Sequence, residues 1–316
     1  MLREKPLLTV VVPVFNEEHC LAALAARLLA LRERLSGEAN VEFLFVDDGS
    51  HDGSAAALTS LAAAHPCVKL VRLSRNFGHQ LAVTAGMDHA EGDWVALVDA
   101  DLQDPPEAIE EMFHRAREGY DVVYGQRRSR KGETAFKRLS AAVFYRVLNS
   151  LCDVEMPADT GDFRIISRRV LDTLRLMRER HRFIRGMVPW TGFRSIAFPY
   201  DRDQRYAGST KYPLRKMLQF ALNAVLSFSA KPLAVATYFG LLAVLFGIAG
   251  ALYMLYLKLF TGIPVPGVTA VLVTIVIFSG IQILLVGVVG QYVARIFEES
   301  KGRPLYVVTE TRNLQP

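Results

Sequence analysis

The sequence has few cysteines and no pattern of cysteine and histidine that would hold a metal. Its three cysteines, Cys20, Cys67 and Cys152, lie far apart, and its seven histidines share no ligand spacing. This excludes a disulfide framework and a structural zinc site, and it is typical of a reducing compartment. A secretory signal is also missing, because Met1–Lys5 leads directly into the short apolar run Leu7–Val14. We therefore expect the first two-thirds of the chain to remain in the cytosol.

The excess of positive charge is small and unevenly placed. The 37 lysines and arginines outnumber the 32 aspartates and glutamates, for a formal net charge of +5. Basic residues crowd the stretch from Arg127 to Lys216, next to the most apolar part of the chain. Anionic headgroups or phosphate-bearing substrates explain this placement better than a nucleic acid does. We expect membrane lipids, and no nucleic acid, among the partners.

Long apolar runs are confined to the C-terminal third of the chain. Pro232–Leu257 and Val268–Ile296 are each long enough to cross roughly 30 Å of hydrocarbon at about 1.5 Å per residue. Their connection carries only Lys258, whereas more basic residues flank the outer sides of the pair: Arg215, Lys216, Lys231, Arg295, Lys301 and Arg303. The sequence therefore predicts an integral membrane protein with a two-helix transmembrane hairpin at 232–296, a cytosolic tail at 297–316 and both termini in the cytosol.

Two further segments combine apolar and basic residues at helical spacing. Residues 136–151 and 213–231 each place apolar side chains on one face and basic or amide side chains on another. Such helices can lie in the headgroup layer, although packing on the soluble core is the alternative. Glycines in the apolar runs, such as Gly240 and Gly280, are typical of helix packing and are compatible with a homo-oligomer.

The N-terminal half alternates short apolar runs with amphipathic stretches. The predicted strands are Leu7–Val14, Val41–Val46, Val68–Leu73, Trp94–Val98 and Val122–Tyr124. The predicted helices between them are Glu17–Leu35, Ser54–Ala64, Gln80–Ala90 and Pro106–Glu118. Repeated strand–helix units indicate an α/β fold with a mostly parallel, Rossmann-like sheet, in which ligands bind beyond the carboxyl ends of the strands.

Polar residues cluster where these strands end. One cluster follows the first strand, another begins at Asp47, and a third contains Asp99 and Asp101. Each cluster alone could be an ordinary turn or helix cap, but the three together at one sheet edge indicate a ligand site. Two adjacent carboxylates repel each other unless a hard cation such as Mg²⁺ or Mn²⁺ lies between them and a substrate phosphate.

These clusters belong to a set of motifs that resembles glycosyltransferase family 2. The motifs are Val11-Val12-Pro13-Val14-Phe15-Asn16-Glu17, Val46-Asp47-Asp48-Gly49-Ser50, Ser74-Arg75-Asn76-Phe77-Gly78, Asp99-Ala100-Asp101-Leu102-Gln103-Asp104-Pro105-Pro106, Thr160-Gly161-Asp162-Phe163-Arg164 and Arg205-Tyr206-Ala207-Gly208-Ser209-Thr210-Lys211-Tyr212. Their order is similar to that of the polyisoprenyl-phosphate glycosyltransferases, of the dolichyl-phosphate mannose synthase and bacterial undecaprenyl-phosphate glycosyltransferase type. The resemblance covers almost the whole chain and implies a GT-A catalytic domain at 1–212.

The resemblance also implies roles for individual residues. The nucleotide-sugar would be bound by Pro13, Phe15, Glu17, Asp47, Asp48, Asp99, Arg205, Ser209 and Lys211. A Mg²⁺ or Mn²⁺ ion would be held by Asp99, Asp101 and Gln103. The catalytic residues would be Asp101, Asp162 and Arg164, and the lipid phosphate would meet Arg127, Arg128 and Lys137. For the last three residues, a solvated or lipid-facing basic patch is the alternative.

The role of Asp162 depends on the acceptor. A sugar hydroxyl would need a general base because its pKa is high. A lipid phosphate is already ionised at neutral pH and can attack the anomeric carbon directly, which inverts that carbon. We therefore expect Asp162 to orient Arg164 and the acceptor site, with a structural salt bridge as the alternative.

By resemblance we expect a bacterial inner-membrane enzyme that moves glucose or another hexose from a UDP-sugar to undecaprenyl phosphate, for cell-envelope glycan or lipid modification. A processive polysaccharide synthase would share the first three clusters, but it would need a Gln-x-x-Arg-Trp motif and more spans, and the sequence has neither. A non-catalytic membrane adaptor is the other alternative. Intact Asp99, Asp101, Gln103 and Lys211 argue against it.

Overall fold

The computed structural model describes residues 5–128, 160–201, 229, 231–261 and 268–314. Residues 5–128, 160–201 and 303–314 belong to one compact unit, and residues 229, 231–261 and 268–302 belong to a second. The predicted helix at 136–151, and all but Ser229 and Lys231 of the predicted helix at 213–231, lie outside the described residues.

Four parallel strands form the centre of the first unit. They are β1 (Leu7–Val14), β2 (Asn40–Asp47), β3 (Val68–Leu73) and β4 (Trp94–Leu97), adjacent in the order β4-β1-β2-β3. The helices between and after them are α1 (Glu18–Leu35), α2 (Ser54–Ala64), α3 (His79–His89) and α4 (Ala108–Arg117). β1 is buried along its whole length, as expected for a parallel strand covered on both faces. These elements confirm the predicted strand–helix alternation to within two residues at each boundary.

The sheet continues on the β4 side with three strands of mixed direction. β5 (Val122–Arg127) was predicted in part, whereas β6 (Thr160–Ser167) and β7 (Ser195–Tyr200) were not. β6 runs antiparallel between β4 and β5, and β7 pairs in parallel with β5. Two helices, α5 (Arg168–Leu176) and α6 (Ile184–Trp190), connect β6 to β7. The fold class is α/β with a mixed sheet, in which these seven strands lie in the order β7-β5-β6-β4-β1-β2-β3.

The last strand comes from the segment that we expected to be a separate tail. β8 (Val308–Arg312) pairs antiparallel with β3 and so completes the sheet of the first unit. The Tyr306 hydroxyl donates to Asp88 at 2.8 Å. Apolar and polar residues alternate only weakly in β8, and its side chains are exposed or half-buried. The periodicity of the sequence alone therefore could not distinguish an edge strand from a tail.

Asn313 secures the end of this strand. Its side-chain amide donates to the backbone oxygens of Ala62 at 2.7 Å and Val68 at 2.8 Å, and its φ is 57°. We expect Asn313→Ala to lower the unfolding free energy by about 1–3 kcal/mol. The substitution removes both hydrogen bonds and places an alanine in the left-handed region of φ and ψ, which asparagine tolerates better. Thermal unfolding of detergent-solubilised protein tests this. Arg312→Ala, which removes only an exposed pair with Glu310, is the control, and equal melting temperatures for both variants would contradict the expectation.

The second unit consists of two long apolar helices. α7 (Lys231–Tyr256) continues as a π-helical turn at Leu257–Thr261, and α8 spans Val268–Ser300. Within them, Leu233–Tyr253 and Thr274–Ser300 are long and apolar enough to cross a membrane, and their apolar side chains are exposed rather than packed in a core. Both helices agree with the predicted apolar runs.

Candidate active site

The loops after β1 and β2 are bound to each other at the carboxyl edge of the sheet. The backbone N–H of Asn16 donates to the Ser50 hydroxyl at 3.0 Å, and the His51 N–H donates to the Asn16 side chain at 2.9 Å. Asn16 has a φ of 55°, a conformation that asparagine tolerates better than most residues. Phe15 follows β1 with 39% of its surface exposed, and its ring is nearly perpendicular to that of His51. Part of this aromatic side chain therefore remains accessible beside the predicted nucleoside residues Pro13 and Glu17.

Asp47 and Asp48 hold the neighbouring loops. The Asp48 carboxylate accepts the backbone N–H groups of Phe77 at 2.7 Å and Gly78 at 2.9 Å. Burial raises the pKa of Asp48, against the lowering effect of these two amides. Asp47 accepts the Ser50 N–H at 3.0 Å. Both predicted nucleoside ligands are buried, and Asp48 fixes the turn from which α3 begins.

Gly49, between these residues and Ser50, has no room for a side chain. Its φ is +68°, and a Cβ there would come within 2.4 Å of the backbone carbon of Arg75. The loops after β2 and β3 therefore pack backbone against backbone, which only glycine permits.

The third cluster lies on the turn after β4. Asp101 is 7% exposed, and its carboxylate accepts the Gln103 N–H at 3.1 Å. Leu102 between them has a φ of 61°. Asp104 is buried and accepts a hydrogen bond from the Tyr200 hydroxyl, which links this turn to the end of β7. The turn is therefore constrained from both sides.

Negative charge accumulates around Asp99. Burial raises the pKa of Asp99 to about 6 against the lowering effect of His79, and the charges of Asp162, Asp104 and Asp101 add to the rise. A cation would relieve this repulsion, and carboxylate oxygens are the ligands that hard divalent cations prefer. In the described parts of the chain, no group of three or more His, Cys, Asp or Glu residues has metal-binding geometry. Asp99 and Asp101 are ligands of the type that such an ion takes, and Gln103 is the third residue that the sequence predicts to hold it.

Strand direction brings Asp162 to the same edge. Because β6 is antiparallel to β4, with Leu97 opposite Arg164, continuing the register by two residues sets Asp162 opposite Asp99. The Nε2 atom of His79 lies 3.0 Å from the Asp162 carboxylate and 3.7 Å from that of Asp99. The beginning of β6 and the end of β4 therefore contribute to one site.

Asp162 is the centre of a charged cluster. It is 3% exposed and accepts two hydrogen bonds from Arg185, at 2.9 and 3.1 Å, and one from the Gln80 amide at 3.2 Å. Burial alone would raise the pKa of Asp162, but Arg185 and His79 hold it well below its ordinary value. Burial would lower the pKa of His79, yet Asp162 and Asp99 raise it to about 9. At neutral pH, Asp162 is a carboxylate between two cations.

Arg164 is held mainly by the backbone. It is 3% exposed and donates to the carbonyl oxygens of Gly161 at 2.8 Å and Asp162 at 3.2 Å, whereas 4.0 Å separates its guanidinium from the Asp162 carboxylate. The carboxylate's close ion pair is with Arg185, not with Arg164. Sequence reasoning missed Arg185 and Gln80, because Arg185 is one of several arginines in a basic stretch and nothing local distinguishes it.

The predicted lipid-phosphate residues lie at the end of β5 or beyond it. The Arg127 guanidinium packs against Gly161, and Arg128 is exposed, 4.0 Å from Asp201. Arg127 thus lies beside Gly161, the residue before Asp162. The other predicted residues Lys137, Arg205, Ser209 and Lys211 lie outside the described residues.

Comparison with known proteins identifies the class. The family model described as glycosyl transferase family 2 matches residues 9–175. This range contains the polar clusters that follow β1, β2 and β4, and it contains Asp162. The chain belongs to this family, and the GT-A fold class expected from the sequence is confirmed. It is therefore a glycosyltransferase.

Several relatives match over nearly the whole chain. The glycosyltransferase YkcC of Bacillus subtilis is 46% identical over 97% of this chain and 94% of its own. A Synechocystis glycosyltransferase is 41% identical over 98% of this chain and 96% of its own. The bactoprenol glucosyl transferase of Shigella phage SfV is 36% identical over 95% of this chain and 97% of its own. Among solved structures, residues 1–349 of S. aureus TarS with UDP-GlcNAc give a TM-score of 0.47 at 16% identity, over 70% of this chain and 65% of that chain.

Proposed function

We propose that this protein transfers a hexose from a UDP-sugar, UDP-glucose in the first instance, to a polyisoprenyl phosphate, in the first instance undecaprenyl phosphate, with inversion at the anomeric carbon. The structural observation that carries the proposal is that His79 lies within 3.7 Å of Asp99 and 3.0 Å of Asp162, so that the end of β4 and the start of β6 meet at one sheet edge. The full-length similarity to a bactoprenol glucosyl transferase supports the lipid acceptor.

The donor is assigned to the carboxylate side of the site. The nucleoside would lie by the exposed face of Phe15, near Pro13 and Glu17, at the ends of β1 and β2. Asp99, Asp101 and Gln103 would hold a Mg²⁺ or Mn²⁺ ion, which neutralises the departing nucleoside diphosphate when bound. The diphosphate is proposed to contact Arg205, Ser209 and Lys211, and this assignment rests on the family resemblance alone.

The acceptor is assigned to the cationic side. Its phosphate oxygen carries negative charge at neutral pH, so the attack on the anomeric carbon needs correct placement more than proton removal. Arg127 and Arg128, with Lys137, are proposed to receive the phosphate. Asp162 stays ionised in this scheme and Arg164 supports the strand that carries it.

The second unit provides the membrane anchor in this proposal. α7 and α8 would cross the bilayer of the bacterial inner membrane as a hairpin, with the catalytic unit and both termini in the cytosol. The lipid acceptor is confined to the same bilayer, so enzyme and acceptor would meet by diffusion in two dimensions.

A donor and acceptor screen tests the assignment. Purified full-length protein in nanodiscs is given a panel of UDP-hexoses with undecaprenyl phosphate and Mg²⁺, and the lipid-linked sugar is detected by mass spectrometry. We expect product with UDP-glucose, none with undecaprenol, which lacks the phosphate, and none with EDTA. Donor hydrolysis without a lipid product from any donor would contradict the acceptor assignment, and no donor turnover at all would favour the adaptor.

A further inference from the structure

Arg185 is held by a bidentate ion pair with Asp162. Its Nε donates to one Asp162 oxygen at 2.9 Å and an Nη donates to the other at 3.1 Å. A bidentate pair of this kind fixes the plane of the guanidinium as well as its position. Gln80 reinforces the arrangement, because it donates to Asp162 and accepts the N–H of Ile184, the residue before Arg185.

The two partners differ in their access to solvent. The Asp162 side chain is 3% exposed, whereas that of Arg185 is 33% exposed and that of His79 is 43% exposed. The carboxylate thus lies behind the two cations, and they are the groups that a solute can reach. A buried acid that holds an accessible arginine is a way to position the arginine before a ligand binds.

The charges of the cluster indicate an anion as that ligand. Arg185 and His79 are both cations, and each donates a hydrogen bond to Asp162. The donor's diphosphate is assigned to Asp99, Asp101 and their cation. The remaining anion in the reaction is the acceptor's phosphate, and arginine recognises phosphate by paired N–H donors.

We propose that Arg185, positioned by Asp162, contacts the phosphate of the polyisoprenyl acceptor, and that Asp162 serves as its anchor. This inference rests on the proposed function. Asp162 accepts four hydrogen bonds, two from Arg185 and one each from His79 and Gln80, which leaves it poorly placed to take a proton from an acceptor. Arg185 thereby becomes a binding residue that the sequence did not indicate.

Steady-state kinetics of Arg185→Gln test the contact. We expect the KM for undecaprenyl phosphate to rise about 10- to 100-fold, the loss of a charge-assisted hydrogen bond, while the KM for the UDP-sugar changes less than about twofold. Arg185→Lys should recover part of the acceptor affinity because it keeps the charge. Arg178→Gln is the matched control, since Arg178 pairs with Asp88 on the surface, and we expect its acceptor KM to equal that of the unchanged protein.

A double-mutant cycle tests the anchoring. If Asp162 acts through Arg185, the variant carrying both Asp162→Asn and Arg185→Gln should be no more than about twofold worse in kcat/KM than the poorer single variant. The inference would be overturned if the losses in kcat/KM of the two single variants multiplied in the double variant. It would also be overturned if the donor KM rose while the acceptor KM stayed unchanged. Absence of transfer by the unchanged protein would instead refute the proposed function, so the two failures are distinct.

Discussion

Replacing Asp101 by alanine is expected to reduce sugar transfer by about 1000-fold or more, because the lost carboxylate is one of two that would balance the cation at the diphosphate. Asp101 is 7% exposed on a turn whose backbone it also supports through Gln103. The measurement is the initial rate of lipid-linked sugar formation at saturating UDP-sugar and Mg²⁺. Membrane insertion should be unchanged, because the apolar helices belong to the other unit.

Two comparisons separate this effect from misfolding. Asp172→Ala removes an aspartate that pairs with Arg168 and Arg175 on the surface of α5, and it should retain nearly full activity. Asp101→Asn keeps the side-chain shape and the acceptor for the Gln103 N–H, yet it should be almost as inactive as the alanine variant. Full transfer by the alanine variant would refute the metal assignment.

Replacing Asp162 by asparagine is expected to lower kcat by about 100-fold near neutral pH, since it leaves Arg185 and His79 without their shared counter-charge. Arg185 and His79 hold Asp162 ionised, with its pKa well below the ordinary value. A carboxyl of lowered pKa loses its charge only in acid, so it cannot produce a limb of the rate profile near neutrality.

The shape of the pH profile therefore matters more than the size of the loss. If Asp162 orients its neighbours, the variant and the unchanged protein should give parallel curves of log kcat against pH well below neutrality, where His79 is protonated in both. If Asp162 removes a proton from the acceptor, the unchanged protein should show in that same acidic range, where this carboxyl takes up its proton, a limb that the variant lacks. The second outcome would contradict the anchoring role.

The strands and helices of the N-terminal half could be predicted because their signals are local. β1 is buried on both faces and reads as one continuous apolar run, and α2 was predicted with its observed bounds. β6 lacks such a signal, since Thr160–Ser167 carries an aspartate and an arginine within a buried strand. Asp162 is tolerated there because side chains from other elements bind it, and Arg164 because it donates to backbone oxygens of the strand itself.

The sequence alone already determines where the strands end, that Asp99 and Asp101 follow a strand, and that the chain has two long apolar helices. Each of these features depends on residues within a few positions of one another. The pairing of Asp162 with Arg185 and the addition of β8 to the sheet depend on contacts between distant segments. Strand direction and packing set those contacts, and neither leaves a periodic trace in the sequence.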